Sequence, residues 1–397
     1  MSSLARNLSL AAAAGILGGL ASATFLIALE SVAKAQRSEI GLLYFLPVAG
    51  LLVGGLYDRF GGRAGQGTNL VIGEIHAPTT RLPGRTTPLI FFTTLASHLF
   101  GASVGREGAA IQMGASLSDQ LSRFFHLSPE DRRVLLKAGA AAGFAGALGA
   151  PLAGLIFGME FVTKNARFKP RHLAECAIAA FTAYGVSHAL GAPHTLYGAL
   201  PPLPLFSPKY LAAAAGLGLL TGLLVRVFIH LTEVFSQMGK LYSGRLAVRA
   251  FTGAFVLIGL TFVFGNRDSL GLGIPEIQSA FLSSSPLPLA LEKLVMTAIS
   301  IASGFRGGEF VPLLFIGATG ASAAAVFFSV PTAFAAACGV ASSFGSAARV
   351  PFALSVFAAE HFTPNFLLYA LIANATARLM VGAETSIYTG QKNSEHA

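Results

Sequence analysis

Two charged side chains, Arg106 and Glu107, stand between glycines in Gly101-Ala-Ser-Val-Gly105-Arg106-Glu107-Gly108-Ala109-Ala-Ile-Gln112, inside an otherwise apolar stretch. An ionisable group at membrane depth costs about 2.5 to 3.5 kcal/mol on insertion scales, so a chain that keeps one keeps it facing a cavity or an ion pathway. Gly105 and Gly108 let the backbone turn tightly on either side of Glu107, and Ala109 to Leu117 reads as a helix whose first free N–H groups point back at the glycines. Such a helix start is an anion cradle, here with a carboxylate inside it. A second stretch, Gly304-Phe-Arg306-Gly-Gly-Glu309-Phe310-Val311-Pro312, repeats the ingredients: glycines, an arginine, a carboxylate and a helix start in apolar surroundings.

The elements that must position these groups are membrane helices. Of 397 residues, 53% are hydrophobic and 11% charged, which excludes an ordinary soluble domain and predicts a polytopic membrane protein. Lys plus Arg exceeds Asp plus Glu by 27 to 18, an excess that belongs in cytoplasmic loops; no aromatic-interleaved basic patch points to nucleic acid. The run Lys164-Asn-Ala-Arg167-Phe-Lys169-Pro-Arg171 reads as such a loop. Cys176 and Cys338 lie far apart in apolar runs, so free buried thiols are expected, with no disulfide and no metal cluster. No nucleotide loop, GxSxG or HExxH pattern occurs in a usable context, which leaves neither an enzyme nor a bound cofactor to predict. Leu8 to Leu29 is longer than the apolar core of a signal peptide and reads as a retained first helix, with Arg6 ahead of it placing the N-terminus on the cytoplasmic side.

Apolar spans follow at Ile40–Tyr57, Pro88–Gly105, Ala138–Met159, Ala177–Leu190, Tyr210–Val225, Ala250–Asn266, Phe310–Ala348 and His361–Ala377. Several are too short, too long or too interrupted for a simple hairpin bundle; 45 glycines and 19 prolines predict tilted and broken helices whose ends meet a buried pathway. A Pro-rich connection, residues 191–208, divides the chain near its midpoint. Across it the sequence repeats: Gly139, Phe144, Pro151, Phe157 and Glu160 recur 200 residues later as Gly339, Phe344, Pro351, Phe357 and Glu360, and the same step pairs Arg106 with Arg306. A first repeat over about residues 1–192 and a second over about 208–397 would form one transmembrane domain with its site between the halves.

These residues resemble the CLC family of chloride channels and proton-coupled anion antiporters. Gly105-Arg-Glu-Gly-Ala109 is similar to the family's GREGP signature, Gly308-Glu-Phe-Val-Pro312 to its GxFxP signature, and Ala150-Pro-Leu-Ala-Gly-Leu-Ile-Phe-Gly-Met-Glu160 to its APLAG helix. The resemblance spans nearly the whole chain. It implies an all-α polytopic membrane protein of the CLC fold, with two inverted repeats of tilted and broken helices, forming a homodimer in the lipid bilayer of a prokaryotic cytoplasmic membrane and lacking a nucleotide-binding tail. It also implies that Glu107 is the gate, a carboxylate that competes with the anion and carries the proton. Amides of Gly108, Ala109, Phe310 and Val311 and the hydroxyl of Tyr388, in Thr385-Ser-Ile-Tyr388-Thr-Gly-Gln391, would then complete the anion site.

The departures from the chloride pattern narrow the ion. Chloride members carry GSGIP at their first signature, with the serine on the anion, whereas this chain has Gly65-Gln-Gly-Thr68-Asn69-Leu-Val-Ile-Gly-Glu74-Ile-His76. That segment, and Arg306 to Thr319, are similar to the fluoride-transporting CLC branch. Phe161 stands where many chloride/proton exchangers have an internal proton-accepting glutamate, as in the fluoride branch, with Glu309 as a second candidate for the coupling group. A small, strongly hydrated halide needs several short donors in place of its water, and Thr68 or Asn69 joins the backbone amides and Tyr388 as candidates. The expectation is fluoride export in exchange for protons; the alternatives are a CLC-type chloride channel or chloride/proton antiporter, and a membrane scaffold without transport. Glu74 and His76 read as a solvated loop pair, and Glu160 and Glu360 as structural groups that cap neighbouring helices or line vestibules.

Overall fold

The computed structural model describes residues 3–162 and 169–392. The N-terminal half runs α1 (Ser3–Ser38), α2 (Leu46–Phe60), α3 (Thr68–His76), α4 (Thr86–Leu99), α5 (Glu107–Leu121), α6 (Pro129–Leu148), α7 (Pro151–Glu160) and α8 (Pro170–Ala189). After the irregular connection come α9 (Pro208–Tyr242), α10 (Leu246–Phe264), α11 (Ile274–Leu282), α12 (Leu287–Ser303), α13 (Phe310–Ala323), the short α14 (Ala325–Phe328), α15 (Thr332–Ala347), α16 (Pro351–His361), α17 (Leu367–Val381) and α18 (Thr389–Lys392). No strand is present among the described residues. Residues 164–168 of the basic run lie outside the described residues.

The two series match in kind. Thirty-six-residue α1 answers to 35-residue α9, nine-residue α3 to nine-residue α11, and ten-residue α7 to eleven-residue α16. At about 1.5 Å per residue α1 is roughly 54 Å long, well beyond a hydrocarbon core of about 30 Å, so it tilts or projects. Four segments are long and apolar enough to cross a membrane: Leu4–Ser38, Ile40–Phe60, Pro208–Tyr242 and Leu246–Phe264. The remaining helices have 20 residues or fewer, and most are largely buried in protein.

Helix breaks fall inside the apolar runs and divide spans that hydropathy alone joins. Ala138–Met159 is two helices, because Gly149 adopts φ 70° and Pro151 starts α7 at its first turn. Phe310–Ala348 becomes α13, α14 and α15, while Pro88–Gly105 is helical only as far as Leu99. Helix α12 was absent from the expected spans because it carries Glu292 and Lys293. Lys293 is nevertheless fully buried, its Nζ donating to the carbonyls of Ser269 (3.2 Å) and Gly271 (2.7 Å).

Small residues set the interior packing, as they do where lipid removes the hydrophobic drive between helices. Gly317 of α13 and Gly339 of α15 touch backbone to backbone: a Cβ on Gly339 would sit 2.0 Å from the Gly317 carbonyl oxygen. The recurring prolines and glutamates also find their reason. Pro151 and Pro351 open α7 and α16; Glu160, ending α7, accepts hydrogen bonds from the Phe352 and Ala353 N–H groups of α16 at 3.1 and 2.8 Å. Glu360 reciprocates on Leu152 and Ala153 of α7, at 2.9 and 2.7 Å. Each half closes the positive helix start of the other.

Candidate ion site

Helices α5 and α13 begin against each other. Gly105 N–H donates to the Gly308 carbonyl (2.5 Å) and Gly308 N–H to the Gly105 carbonyl (2.8 Å), an isolated antiparallel bridge between the two Gly-rich breaks. Approach this close excludes any side chain, since a Cβ on Gly308 would lie 2.7 Å from Gly108 N. The bridge corrects the simple 200-residue step: the helix starts correspond as Glu107 with Phe310, so Glu309 occupies the position of Arg106. Arg306 sits elsewhere, its guanidinium over the Tyr57 ring (3.6 Å) and donating to the Gly65 carbonyl (3.3 Å).

Glu107 is the first residue of α5 and is wholly buried. Its carboxylate accepts from the Arg106 N–H (3.3 Å) and from Arg106 Nε (3.1 Å), and Arg106 Nη2 reaches on to Thr195 Oγ1 (2.7 Å). Helix start and guanidinium therefore both present positive charge to the carboxylate. The Gly108 N–H precedes the first helical bonds, whereas the Ala109 N–H is committed to the Arg106 carbonyl (3.1 Å). In α13 the first internal acceptor is the Glu309 carbonyl, which takes the Leu313 N–H (3.0 Å), so Phe310 and Val311 present their amides at the helix start.

The C-terminal segment lies across the other side. Tyr388 is 3% exposed and faces Glu309, Thr68 and Glu107. Thr68, first residue of α3, accepts from Gln112 Nε2 on α5 (3.2 Å), and Asn69 Oδ1 accepts from the Gly390 N–H (3.0 Å). The structure thus separates the two candidates: Thr68 turns toward Tyr388, and Asn69 holds the segment that carries Tyr388. Sequence reasoning missed Gln112; a lone amide one turn past Glu107 in an apolar helix was the available signal.

A file of rings lines the junction. Tyr388 packs edge-on against Phe161 (5.6 Å), Phe161 stacks on Phe157 (4.5 Å), Phe157 on Phe144 (4.1 Å), and Phe144 meets Phe310 edge-on (5.6 Å). Phe310 also touches Phe344 and Phe357, so the matched phenylalanines of both halves converge on it. Phe161 is a member of this wall, not a proton acceptor.

On the face opposite the start of α1, a cavity of about 560 Å³ opens toward Arg106. Arg37, Arg106 and Arg267 line it against Glu30, Asp268 and Glu276. On the face of the N-terminus, Glu74 overturns the solvated-loop expectation: it is 2% exposed, accepts from Arg63 and from Arg132 (3.1 Å), and Arg132 grips Asp119 with two bonds of 2.7 and 2.9 Å. Asp131 nearby accepts from Arg171, Arg6 and Asn7. Among the described residues no group of three or more His, Cys, Asp and Glu could hold a metal, and both cysteines are free and buried.

With this geometry in hand, similarity to known proteins is specific. The family pattern described as voltage gated chloride channel matches residues 49–382. A "Chloride/fluoride channel protein" of Pseudomonas syringae pv. tomato is 39% identical, over 98% of this chain and 87% of the relative. The "H(+)/Cl(-) exchange transporter ClcA" of Vibrio campbellii is 28% identical, over 94% and 86%. Among solved structures, that of a CLC-type fluoride/proton antiporter superposes with a TM-score of 0.92 at 31% identity, covering 98% of both chains. A slow cyanobacterial Cl⁻/H⁺ antiporter shares the fold, with a TM-score of 0.83 at 21% identity over 98% and 97%.

Proposed function

The chain belongs to the voltage-gated chloride channel (CLC) family, and from that premise we propose that it is a transporter exchanging fluoride for protons across a membrane. The observation that carries the reading is the wholly buried Glu107 carboxylate at the start of α5, held by Arg106 beside the start of α13. An ionised carboxylate there occupies the place of an anion; protonation removes its attraction to the helix start and to Arg106, and the anion takes its place. Proton and anion occupancy are then linked through one side chain, and Glu309 facing Tyr388 is a second group able to take part.

For fluoride we assign the Gly108, Phe310 and Val311 amides, the Tyr388 hydroxyl and the Thr68 hydroxyl as the donors that replace its water. Asn69 acts by anchoring Gly390, and Ala109 contributes the backbone of α5 but not a free amide. The likeness to the relative named for chloride and fluoride and to the fluoride/proton antiporter supports fluoride over chloride. We further propose a homodimer in the cytoplasmic membrane, exporting fluoride, with repeats bounded near residues 192 and 208.

Reconstitution into liposomes with simultaneous fluoride-electrode and vesicle-pH recording tests the reading. Fluoride efflux with stoichiometric proton uptake is the expected result. Fluoride flux without proton movement would remove the exchange, equal chloride flux would remove the fluoride assignment, and no flux at all would leave a scaffold.

A further inference from the structure

A second buried tyrosine lies within the field of Glu107, at the far end of the file of rings from Tyr388. Tyr197 belongs to the irregular connection between α8 and α9, is 1% exposed, and its hydroxyl makes no hydrogen bond. A buried hydroxyl left unpaired is costly, and tyrosines in such places ordinarily find a partner. The ring is fixed, edge-on to Phe357 (6.1 Å, 72°) and against His361 (5.9 Å). The groups acting on its hydroxyl are Glu107 and Arg106, the guanidinium lying near without meeting hydrogen-bond geometry. Two residues earlier Thr195 accepts from Arg106, so the same segment clasps the arginine of the gate and lines the cavity that opens toward it.

Phe357 touches Phe310, which extends the file of rings from Tyr388 to Tyr197. Two packed phenols thus stand within reach of the Glu107 charge, one on the C-terminal segment and one on the connection. We propose that Tyr197 is an outer positioning residue: its hydroxyl donates to the Glu107 carboxylate when that carboxylate leaves the start of α5 toward the cavity. In the resting arrangement both carboxylate oxygens are engaged by Arg106, which is why the phenol stands idle. The proposal rests on the reading of Glu107 as the moving carboxylate. The other groups facing this place are Arg106 itself, Tyr388, His361 on α16 against the Tyr197 ring, and His98 of α4 and His194 of the connection, both within the field of Arg106.

The test is Tyr197→Phe, which keeps the ring packing and removes only the hydroxyl. Fluoride efflux from liposomes is recorded against pH for the unmutated protein, Y197F, Glu107→Gln and the double variant. A donor to an ionised carboxylate favours that form, so its loss should move the half-maximal pH of the flux upward by about one unit, the size of one hydrogen bond to a charged group. In the E107Q background Y197F should change neither rate nor pH profile, because the group it serves is gone. An unshifted profile for well-folded Y197F, or an equal slowing in both backgrounds, would overturn the proposal and leave Tyr197 a packing residue. Fluoride flux without proton movement in the unmutated protein would instead sink the exchange reading, while the four-way pH comparison would still decide the role of Tyr197.

Discussion

Replacing Glu160 with Ala should destabilise the protein without uncoupling it. The carboxylate satisfies two N–H groups at the start of α16, those of Phe352 and Ala353, and the Ala353 side of that contact is fully buried. Leaving a buried donor unpaired costs about 1–3 kcal/mol, and losing a helix cap typically costs about 1. For two donors, one of them well buried, the expected loss is about 2–4 kcal/mol. Glu360→Ala should cost less, because Glu360 is only half-buried where Glu160 is 7% exposed, so water can more readily replace its carboxylate on the Leu152 and Ala153 N–H groups. Glu160→Gln keeps one acceptor oxygen and should fall between the unmutated protein and E160A. Thermal unfolding in a single detergent gives the ranking, and liposome flux gives the coupling ratio. E160A as stable as the unmutated protein, or a normal melt with an altered proton-to-fluoride ratio, would refute the capping argument and make Glu160 part of a proton route.

Three further outcomes follow from the geometry. Glu107→Gln should carry fluoride without moving protons, because the amide cannot take the proton on; pH recording beside the fluoride electrode checks it. Gly308→Ala should prevent correct folding or abolish flux, since its Cβ would have to lie 2.7 Å from the Gly108 nitrogen; yield of monodisperse protein and flux read the outcome. Burial pushes the Asp131 carboxyl up, but hydrogen bonds from Arg171, Ser128 and Asn7 outweigh it and hold the group at about 2, below its ordinary 3.8. A depressed carboxyl stabilises the fold above the ordinary value and loses that contribution as pH falls toward 2. Asp131→Asn should accordingly lower the melting temperature at neutral pH and flatten its decline between about pH 4 and 2.

Much of the site was legible because its chemistry is written in residues that are expensive in a membrane. Glu107 and Glu309 stand out in apolar surroundings, and glycines beside them mark where the backbone must turn. The pairing of Gly105 with Gly308 was not legible, because a 200-residue repeat aligns Arg106 with Arg306 while the helix starts are three residues further apart. Glu74 was misjudged, and the helix carrying Lys293 was left out of the expected spans, for one reason: a charge in the sequence looks solvated until the carbonyls or guanidinium groups that receive it are known. Thr68 and Asn69 could not be told apart, since adjacent residues at a helix start point in different directions and only the fold says which faces Tyr388. Tyr197 carried no signal at all; its connection is irregular, and its meaning comes from where Glu107 lies.

The bridge between Gly105 and Gly308 also sets a schedule for biogenesis. Its first residue is made some 200 residues before its second, an interval of roughly 10–40 s at about 5–20 residues per second. Throughout that time the first half sits in the bilayer with the Gly105 backbone groups unmet and the start of α7 uncapped, because Glu360 does not yet exist. A ribosome that stalls in the second half therefore leaves a product whose unmet polar groups lie at membrane depth, where each is costly. Supplying the second half as a separate chain should rescue such a fragment, since the bonds that join the halves at this point, from the Gly105–Gly308 bridge to the contact of Ser103 Oγ with Thr297 Oγ1 (2.8 Å), are non-covalent and none requires the halves to be continuous.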